Sequence, residues 1–465
     1  MRESEIASIL AKFESENGAY ALVVRGLSVW RLLRAPVGLS LQNLPLVIPP
    51  LPPAELIAAS VRSLINIIRV QSNGARYAVK TYSSALRIMG RNGYEDVYFE
   101  QLLREIPNGI RMHSLNAAGF SGRLNGPSKT NLDCTVVPVL GTTLARLFPV
   151  KEGEEVFERL SRLLQEHFGL VQFSASRISR MFSSFWWQSR IYEWILNRLG
   201  VRTVIAADSG ERALLAASHR LGIRFIELQH GVYTPEDPDC LPATSIACVA
   251  EPALLLPDVL AMYGEYWTDR HAGTAMGRLG RLHAVGASVI DKFRALRIRD
   301  FRTDPNCLKL VVTTQGMDRE ALIRFLADFL DLYTNPCILI IKLHPVYDVS
   351  KAPYINAFGS DRRVQIIGGN AEPSAFALIS HSDFHISIAS ACHYDAIGIG
   401  TPTVVLGLAG HTTVTDLVTA GYALFADTPS VLKDIVSGQT SRITDSEPSI
   451  FFRHGFVQNL LPLIA

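Results

Sequence analysis

The stretch Ile386-Ser-Ile-Ala-Ser-Ala-Cys-His-Tyr-Asp-Ala-Ile-Gly-Ile-Gly-Thr-Pro-Thr-Val-Val-Leu406 decides the fold class. An apolar, β-branched run stops at small hydroxyl residues, a short helical segment follows, and Gly400-Thr-Pro402 leads into a second apolar run. The pattern is strand, tight turn, helix, strand. Upstream, Cys337-Ile-Leu-Ile-Ile-Lys-Leu-His-Pro345 is another buried strand, ending in a His that the following proline biases toward extended backbone. Ligands of open α/β sheets lie beyond the carboxyl ends of the strands, so both sets of polar groups are expected at one crevice.

Working outward, the same alternation recurs. Cys307–Thr314 and Val364–Ile367 read as strands, Arg319–Tyr333 and Pro373–Ser380 as helices, and Tyr422–Phe425 with Ser430–Ser437 as a last strand and helix. In the other direction Arg202–Ala207, Ala213–Leu221 and Ile223–Gln229 form a β-α-β unit whose turn is Asp208-Ser-Gly-Glu-Arg212 and whose second strand runs into His230-Gly231. Before it, Ala78–Ser83, Cys134–Leu140 and, after it, Thr244–Ala250 read as strands, with helices over Tyr94–Arg104, Val156–Phe168 and Phe182–Leu199. The aromatics of that last helix, Phe185, Trp186, Trp187, Tyr192 and Trp194, are expected in the core. The chain is therefore expected to be α/β, with two Rossmann-like parallel-sheet domains facing across a cleft: an N-terminal extension over 1–70, one domain over 71–275 and a second over 276–465.

Composition agrees with a globular chain of this size. The 465 residues are 19% charged and 48% hydrophobic, with a net charge of +2, so no general electrostatic footprint for nucleic acid is present. A local basic run, Arg278, Arg281, Lys292, Arg294, Arg297 and Arg299, is a candidate anion face. Six cysteines lack paired metal-type spacing and point to a reducing cytoplasm. No apolar run approaches the roughly 20 residues of a membrane span. From Ala35 to Ser60 the only charge is Glu55, but six prolines (36, 45, 49, 50, 52 and 53) prevent a continuous helix, so this segment is expected to pack on the protein or lie on a bilayer.

Four clusters stand at expected strand ends. Ser387, Ser390 and the first amides of the following helix form an anion cradle, with Asp395 one to two turns in; Ser390 as a helix cap is the structural alternative. His344-Pro345, preceded by Lys342, places an imidazole where a leaving phosphate could be neutralised. His230 offers a general base or phosphate contact. Asp208 or Glu211 offers a carboxylate to take a hydroxyl proton, with Asp208 as helix cap the alternative. Gly-x-Gly-x-x-Gly, Walker and Gly-x-Ser-x-Gly patterns are absent from the places where they carry function. His381, Asp383, His385 and His393 are better read as hydrogen-bonded structure than as a metal site.

Through Leu228-Gln-His-Gly231, Tyr263-Gly-Glu-Tyr-Trp267, Lys342-Leu-His-Pro345, Ser387–Asp395 and Gly400-Thr-Pro402, the chain resembles bacterial surface-polysaccharide glycosyltransferases of the GT-B type. It is most similar to the capsule group of polysialyltransferases and Kdo transferases, and more distantly to teichoic acid polymerases. The resemblance covers about Val201 to Phe425. It implies an inverting, metal-independent enzyme without cofactor that moves a sugar from a nucleotide donor, CMP-linked and of the Kdo or sialic acid type, to a glycan or lipid-linked glycan acceptor. Separately from the resemblance, the cysteines point to a cytoplasmic location and the Ala35–Ser60 segment to peripheral attachment at the inner face of the membrane. His344-Pro345 matches the motif that holds the donor phosphate; Ser387 and Ser390 are separated by two residues where the capsule group has an adjacent pair. The base is Asp208 or Glu211 by the capsule group, His230 by the polymerases. Transfer of glycerol or ribitol phosphate from a CDP donor, a non-catalytic glycan-assembly role and sugar-nucleotide epimerisation are the competing expectations.

Overall fold

A computed structural model describes residues 3–42, 52–70, 74–90, 93–115, 131–207, 210–301, 304, 306–345, 347–438 and 448–464. The chain divides into two compact units, one comprising Met1–Leu86, Gly90–Val285 and Val457–Ala465, the other Arg87–Met89 and Gly286–Phe456. The N-terminal segment and the last helix thus belong to the first unit.

The first unit holds a seven-stranded parallel sheet of β1 (Tyr77–Tyr82), β2 (Gly109–Ser114), β3 (Asn131–Asp133), β4 (Thr203–Ala206), β5 (Arg224–Leu228), β6 (Val259–Met262) and β7 (Leu282–Ala284), in the order β7-β6-β5-β4-β1-β2-β3. The second holds a six-stranded parallel sheet of β8 (Leu308–Thr313), β9 (Cys337–Lys342), β10 (Val364–Ile367), β11 (Phe384–Ser387), β12 (Thr403–Leu406) and β13 (Leu424–Ala426), in the order β10-β9-β8-β11-β12-β13. Counted from its own first strand, each sheet reads 3-2-1-4-5-6, with one further edge strand in the first unit. This is the doubly wound order, so the fold is α/β with two Rossmann-like units. The order reverses between β1 and β4 in one unit and between β8 and β11 in the other.

The central strands Thr203–Ala206, Val259–Met262 and Thr403–Leu406 are buried along their whole length, as parallel strands covered on both faces are, whereas the edge strands β7 and β10 are partly exposed. In the second unit Leu310, Val312, Leu339, Ile341, Ile386, Val404 and Leu406 from the sheet pack with Leu326, Phe329 and Leu330 of the helix Arg319–Leu332. The helix Cys392–Ile399 ends where Gly400 adopts φ 89°, letting the Gly400 and Thr401 amides both reach the Ala396 carbonyl before β12 begins.

Three expected elements differ. Cys134–Leu140, read as a strand, is the start of the helix Val136–Leu147, with Pro138 in its first turn; the strand there is the short β3 just before it. Thr244–Ala250 contains the helix Ser245–Cys248 instead of a strand. Within Tyr94–Arg104, a strand occupies Gly93–Asp96 and only Glu100–Glu105 is helical. The aromatic stripe divides as well: Phe185 and Tyr192 are buried in the helix Ala175–Leu199, but Trp194 is 41% exposed beneath the Arg198 guanidinium, and Arg25 and Arg220 lie over Trp186.

The segment read as proline-interrupted forms two described helices. Val29–Gln42 contains Pro36, and Pro53–Ile68 begins at Pro53, where the missing N–H needs no partner; residues 43–51 lie outside the described residues. The second helix buries Ala59, Ser63 and Ile67, and its Ser63 hydroxyl both donates to the Asp133 carbonyl (2.8 Å) and accepts from the Val136 amide (3.0 Å). Its other face leaves Ile57, Val61, Leu64, Ile65 and Ile68 exposed. No helix among the described residues is long and apolar enough to cross a membrane.

Candidate functional site

In the second unit the sequence-expected groups gather around the loop that follows β8. The Thr314 hydroxyl accepts a hydrogen bond from the His344 amide (3.3 Å), and the next residue, Gln315, makes a two-point contact with Ala389, donating to its carbonyl (2.9 Å) and accepting from its amide (3.2 Å). One dipeptide therefore ties the His344-Pro345 turn on one side to the Ser387–Ser390 turn on the other. Gly316, at φ 72°, lets this loop pass the Tyr347 carbonyl, which a Cβ would approach to 2.4 Å.

His344 is half-buried. Its Nδ1 accepts a hydrogen bond from the Tyr347 amide (3.0 Å), and the two rings stack with centroids 4.7 Å apart. A neutral imidazole whose Nδ1 accepts carries its proton on Nε2, so His344 presents a donor. Behind it lies Asp348, fully buried, which sequence reasoning missed. Its carboxylate accepts from the Thr314 hydroxyl (2.6 Å), the Tyr354 hydroxyl (2.6 Å) and the Arg319 guanidinium (2.8 Å), joining the end of β8 to two helices. Pro345 is exposed, and Gly369 passes its backbone so closely that a Cβ there would lie 2.3 Å from the Pro345 Cα.

Lys342, assigned to the donor phosphate by sequence, is buried and points elsewhere. Its ammonium donates to the Gly368 carbonyl (2.9 Å) and to the Ala371 carbonyl, and burial pushes its pKa down to about 8. It holds the Gly368–Ala371 loop that passes Pro345. Ser387 is buried too, and its hydroxyl donates to the Thr313 carbonyl (2.7 Å), which joins β11 to β8. Ser390 accepts from the Cys392 amide (3.1 Å), the capping role, and its hydroxyl proton remains to be given to an acceptor. Asp395 is half-buried in the first turn of the helix Cys392–Ile399.

The histidines beneath this turn are structural. His385 bridges the hydroxyls of Thr313 and Thr403 (2.8 Å each), and His393 contacts Thr403 at 2.7 Å. Both rings are fully buried; burial drives the His385 pKa far down and that of His393 to about 3. No group of His, Cys, Asp and Glu among the described residues is arranged to hold a metal ion. The basic run is also engaged: Arg297 donates to the carbonyls of Gly400 (3.0 Å), Ser380 (3.2 Å) and Ser382 (2.8 Å), and Arg294 to that of Gly398 (2.7 Å). Within the first unit, Arg281 pairs with Glu251 at 2.6 Å.

Glu211 opens the helix Arg212–Leu221 of the first unit, at the switch point between β1 and β4, and makes no side-chain cap. Its carboxylate is 3.0 Å from the Lys80 ammonium and accepts from the Tyr82 hydroxyl, with both ion-pair side chains buried. The ammonium also donates to Ser114 (3.1 Å) and lies 3.6 Å from the centre of the Tyr82 ring. Asp208 lies outside the described residues. His230, at the carboxyl end of β5, exposes its side chain, while its carbonyl accepts from the Tyr98 hydroxyl (2.9 Å). Gln229 before it is buried and fixes the turn, donating to the Gly231 carbonyl (2.8 Å) and accepting from the Tyr263 amide (2.9 Å). Gly231 has open space about it and no left-handed backbone, so the fold does not require a glycine there.

The loop after His230 is anchored from the N-terminal helices. Arg34 donates to the carbonyls of Pro238 and Cys240 (2.9 Å for the latter) and pairs with Glu14 at 2.6 Å, while Arg31 donates to the Leu254 carbonyl (3.0 Å) and pairs with Asp239 (3.3 Å). Arg31 and Arg34 are thus internal struts.

No family model matches the chain, and no curated protein matches its sequence. Solved structures are similar to it at low identity. S. aureus MnaA with UDP is 12% identical, over 83% of this chain and 95% of that one, with a TM-score of 0.49. The UDP-GlcNAc 2-epimerase from Neisseria meningitidis bound to UDP-GlcNAc is 12% identical over 84% and 98%, with a TM-score of 0.47. The wall teichoic acid polymerase TagF soaked with CDPG is 11% identical over 89% and 97%, with a TM-score of 0.46. At these values the likeness carries no argument about chemistry, which rests on the residues.

Proposed function

We propose that the chain is an inverting, metal-independent glycosyltransferase taking a sugar from a nucleotide donor, CMP-linked and of the Kdo or sialic acid type, to a surface-polysaccharide acceptor. The observation that carries this reading is the Thr314-Gln315 dipeptide, bonded on one side to His344 and on the other to Ala389, at the switch point of the second sheet. Such points bind nucleotides in doubly wound folds. The His344 Nε2–H and the Ser390 hydroxyl then give hydrogen bonds to the leaving phosphate, and the first amides of the helix Cys392–Ile399 add their partial positive charge.

In this reading an acceptor oxygen attacks the anomeric carbon as its bond to the phosphate oxygen breaks. The new carbon–oxygen bond forms on the opposite face, and the acceptor proton passes to a base of the first unit. His230 suits that role better than Glu211: its side chain is exposed, whereas the Glu211 carboxylate is buried against Lys80 and Tyr82. Lys342 and Ser387 act by holding the site's shape.

The test is thermal stabilisation by CMP-, CDP-, UDP- and GDP-linked sugars, followed by transfer assays on the donor that binds. His344→Ala is expected to lower turnover about 100-fold, the usual scale for one leaving-group donor, with the melting temperature unchanged; near-normal turnover would sink the assignment. Phosphate in the product linkage would instead support the polymerase reading, conversion of a UDP-sugar without acceptor an epimerase, and binding without turnover an assembly role. The exposed apolar face of the helix Pro53–Ile68 suits peripheral attachment to lipid. Ile57→Glu with Val61→Glu is expected to abolish co-sedimentation with anionic liposomes.

A further inference from the structure

The first unit contains an open groove of about 700 Å³, lined by residues of the helices Val136–Leu147 and Ala175–Leu199 and by Gly210 and Arg212 on either side of Glu211. Arg146, Arg177, Arg180 and Arg212 line it, and no acidic residue does. Arg177, Arg180, Ser184 and Gln188 recur at steps of three and four, which puts them on one face of the long helix. The two helices meet closely there: a Cβ on Gly141 would lie 2.3 Å from the Gln188 side chain, and Ser184 hydrogen-bonds both Gln188 (3.0 Å) and Thr142 (3.1 Å). The polar floor is therefore fixed.

The cations differ in what engages them. Arg212 pairs with Asp239, and Arg177 donates to the Gln172 carbonyl (3.2 Å). Arg146 and Arg180 are exposed at the rim and make no hydrogen bond or ion pair with the described residues. Arg62 and Arg104 elsewhere in this unit are likewise exposed without an ion pair among the described residues, so what sets the groove apart is that four arginines line one concavity. Cations collected in a concavity and left without acids favour a ligand that supplies the negative charge.

We propose that this groove holds the acceptor, and that the acceptor is an anionic glycan whose carboxylates or phosphodiesters meet Arg146 and Arg180. This rests on the transferase reading and deepens it. The groove's volume suits a ligand of a few sugar rings. Charge recognition makes the chain selective for anionic over neutral glycans of equal length.

Binding to the full chain should be measured by calorimetry with four probes: an oligogalacturonate, a glycerol phosphate oligomer, a neutral maltooligosaccharide and a short single-stranded RNA. One anionic probe is expected to bind, weakening with salt, and the neutral one not to. Arg146→Glu with Arg180→Glu is expected to weaken that binding about tenfold or more, while Arg104→Glu, an exposed arginine outside the groove, changes it less than about twofold. Which anionic probe binds separates carboxylate from phosphodiester recognition. Equal binding of the neutral probe, unchanged binding in the double variant, an equal loss with Arg104→Glu, or tighter groove-dependent binding of a short single-stranded RNA would each overturn the proposal. Stabilisation by a nucleotide sugar, measured on the same variants, is independent of the groove: if it persists while no glycan binds, the groove assignment fails and the donor site stands.

Discussion

Lys80 and Glu211 meet at 3.0 Å beside β1 and β4, both buried, whereas the equivalent place between β8 and β11 is closed by neutral groups. There the Ser387 hydroxyl reaches the Thr313 carbonyl, His385 bridges Thr313 and Thr403, and the Gln315 amide matches the Ala389 peptide. The strand order is the same in both sheets. What differs is whether the groups that close the reversal are charged or neutral. In the first unit the ammonium and carboxylate neutralise each other and take Tyr82 and Ser114 as further partners. In the second, Thr314 and Gln315 tie the His344 amide and the Ala389 peptide to the end of β8 through uncharged groups.

The largest effect expected from breaking this contrast is at the charged lock. Lys80→Met leaves a buried carboxylate without its cation, a loss on the order of 3–5 kcal/mol. Hydrogen exchange of the β1 and β4 amides would report it in the first unit alone. Adding Glu211→Gln to that variant should recover much of the loss, because the stranded charge is removed. If Lys80→Met cost under about 1 kcal/mol, the pair would be solvated and Glu211 would return as a candidate base.

The neutral lock should give less. Gln315→Ala removes two hydrogen bonds and leaves the Ala389 amide and carbonyl to find water, a loss of about 2 kcal/mol, visible as faster exchange in β8 and β11. A larger consequence is expected for ligand: nucleotide-sugar stabilisation should fall in this variant although Gln315 is assigned no contact with it. Donor binding unchanged in a destabilised Gln315→Ala would separate the lock from the site.

Much of this frame was legible in the residues. Runs such as Leu308–Thr313 and Cys337–Lys342 are β-branched, bounded by turn residues and buried on both faces, so period and length agree. Val136-Val-Pro-Val-Leu140 carried the same apolar signal but sits in a helix; Pro138 in the first turn was the cue for a helix start. The site was legible by place and less so by role. Strand ends located His344 and Ser390, but parity along β9 could not show that the Lys342 ammonium turns to two loop carbonyls, and a serine at a strand end reads alike whether its hydroxyl faces ligand or, like Ser387, a neighbouring strand. Asp348 gave no local sign, since two of its three partners, Thr314 and Arg319, lie about 30 residues upstream. Lys80 did give one: a lone lysine amid the apolar residues of β1 needs a buried partner, and Glu211 is that partner.

The smallest effect is a pH dependence that the neutral lock predicts for itself. His393 is held neutral by burial, its pKa lowered from the ordinary 6.5 to about 3. Between these values the unfolded chain binds a proton at this residue that the folded chain refuses, so stability from this group is fully present above about pH 6.5 and is lost as the pH falls toward 3. For one such group the loss between pH 7 and pH 5.5 is about 1 kcal/mol. His393→Asn preserves a hydrogen-bonding side chain toward Thr403 but does not titrate, so its stability should vary less with pH over that interval, with the difference localised by exchange to β11 and β12. A slope identical to that of the unaltered chain would mean that His393 takes up its proton within the fold, and the lock of the second unit would then carry charge as the first does.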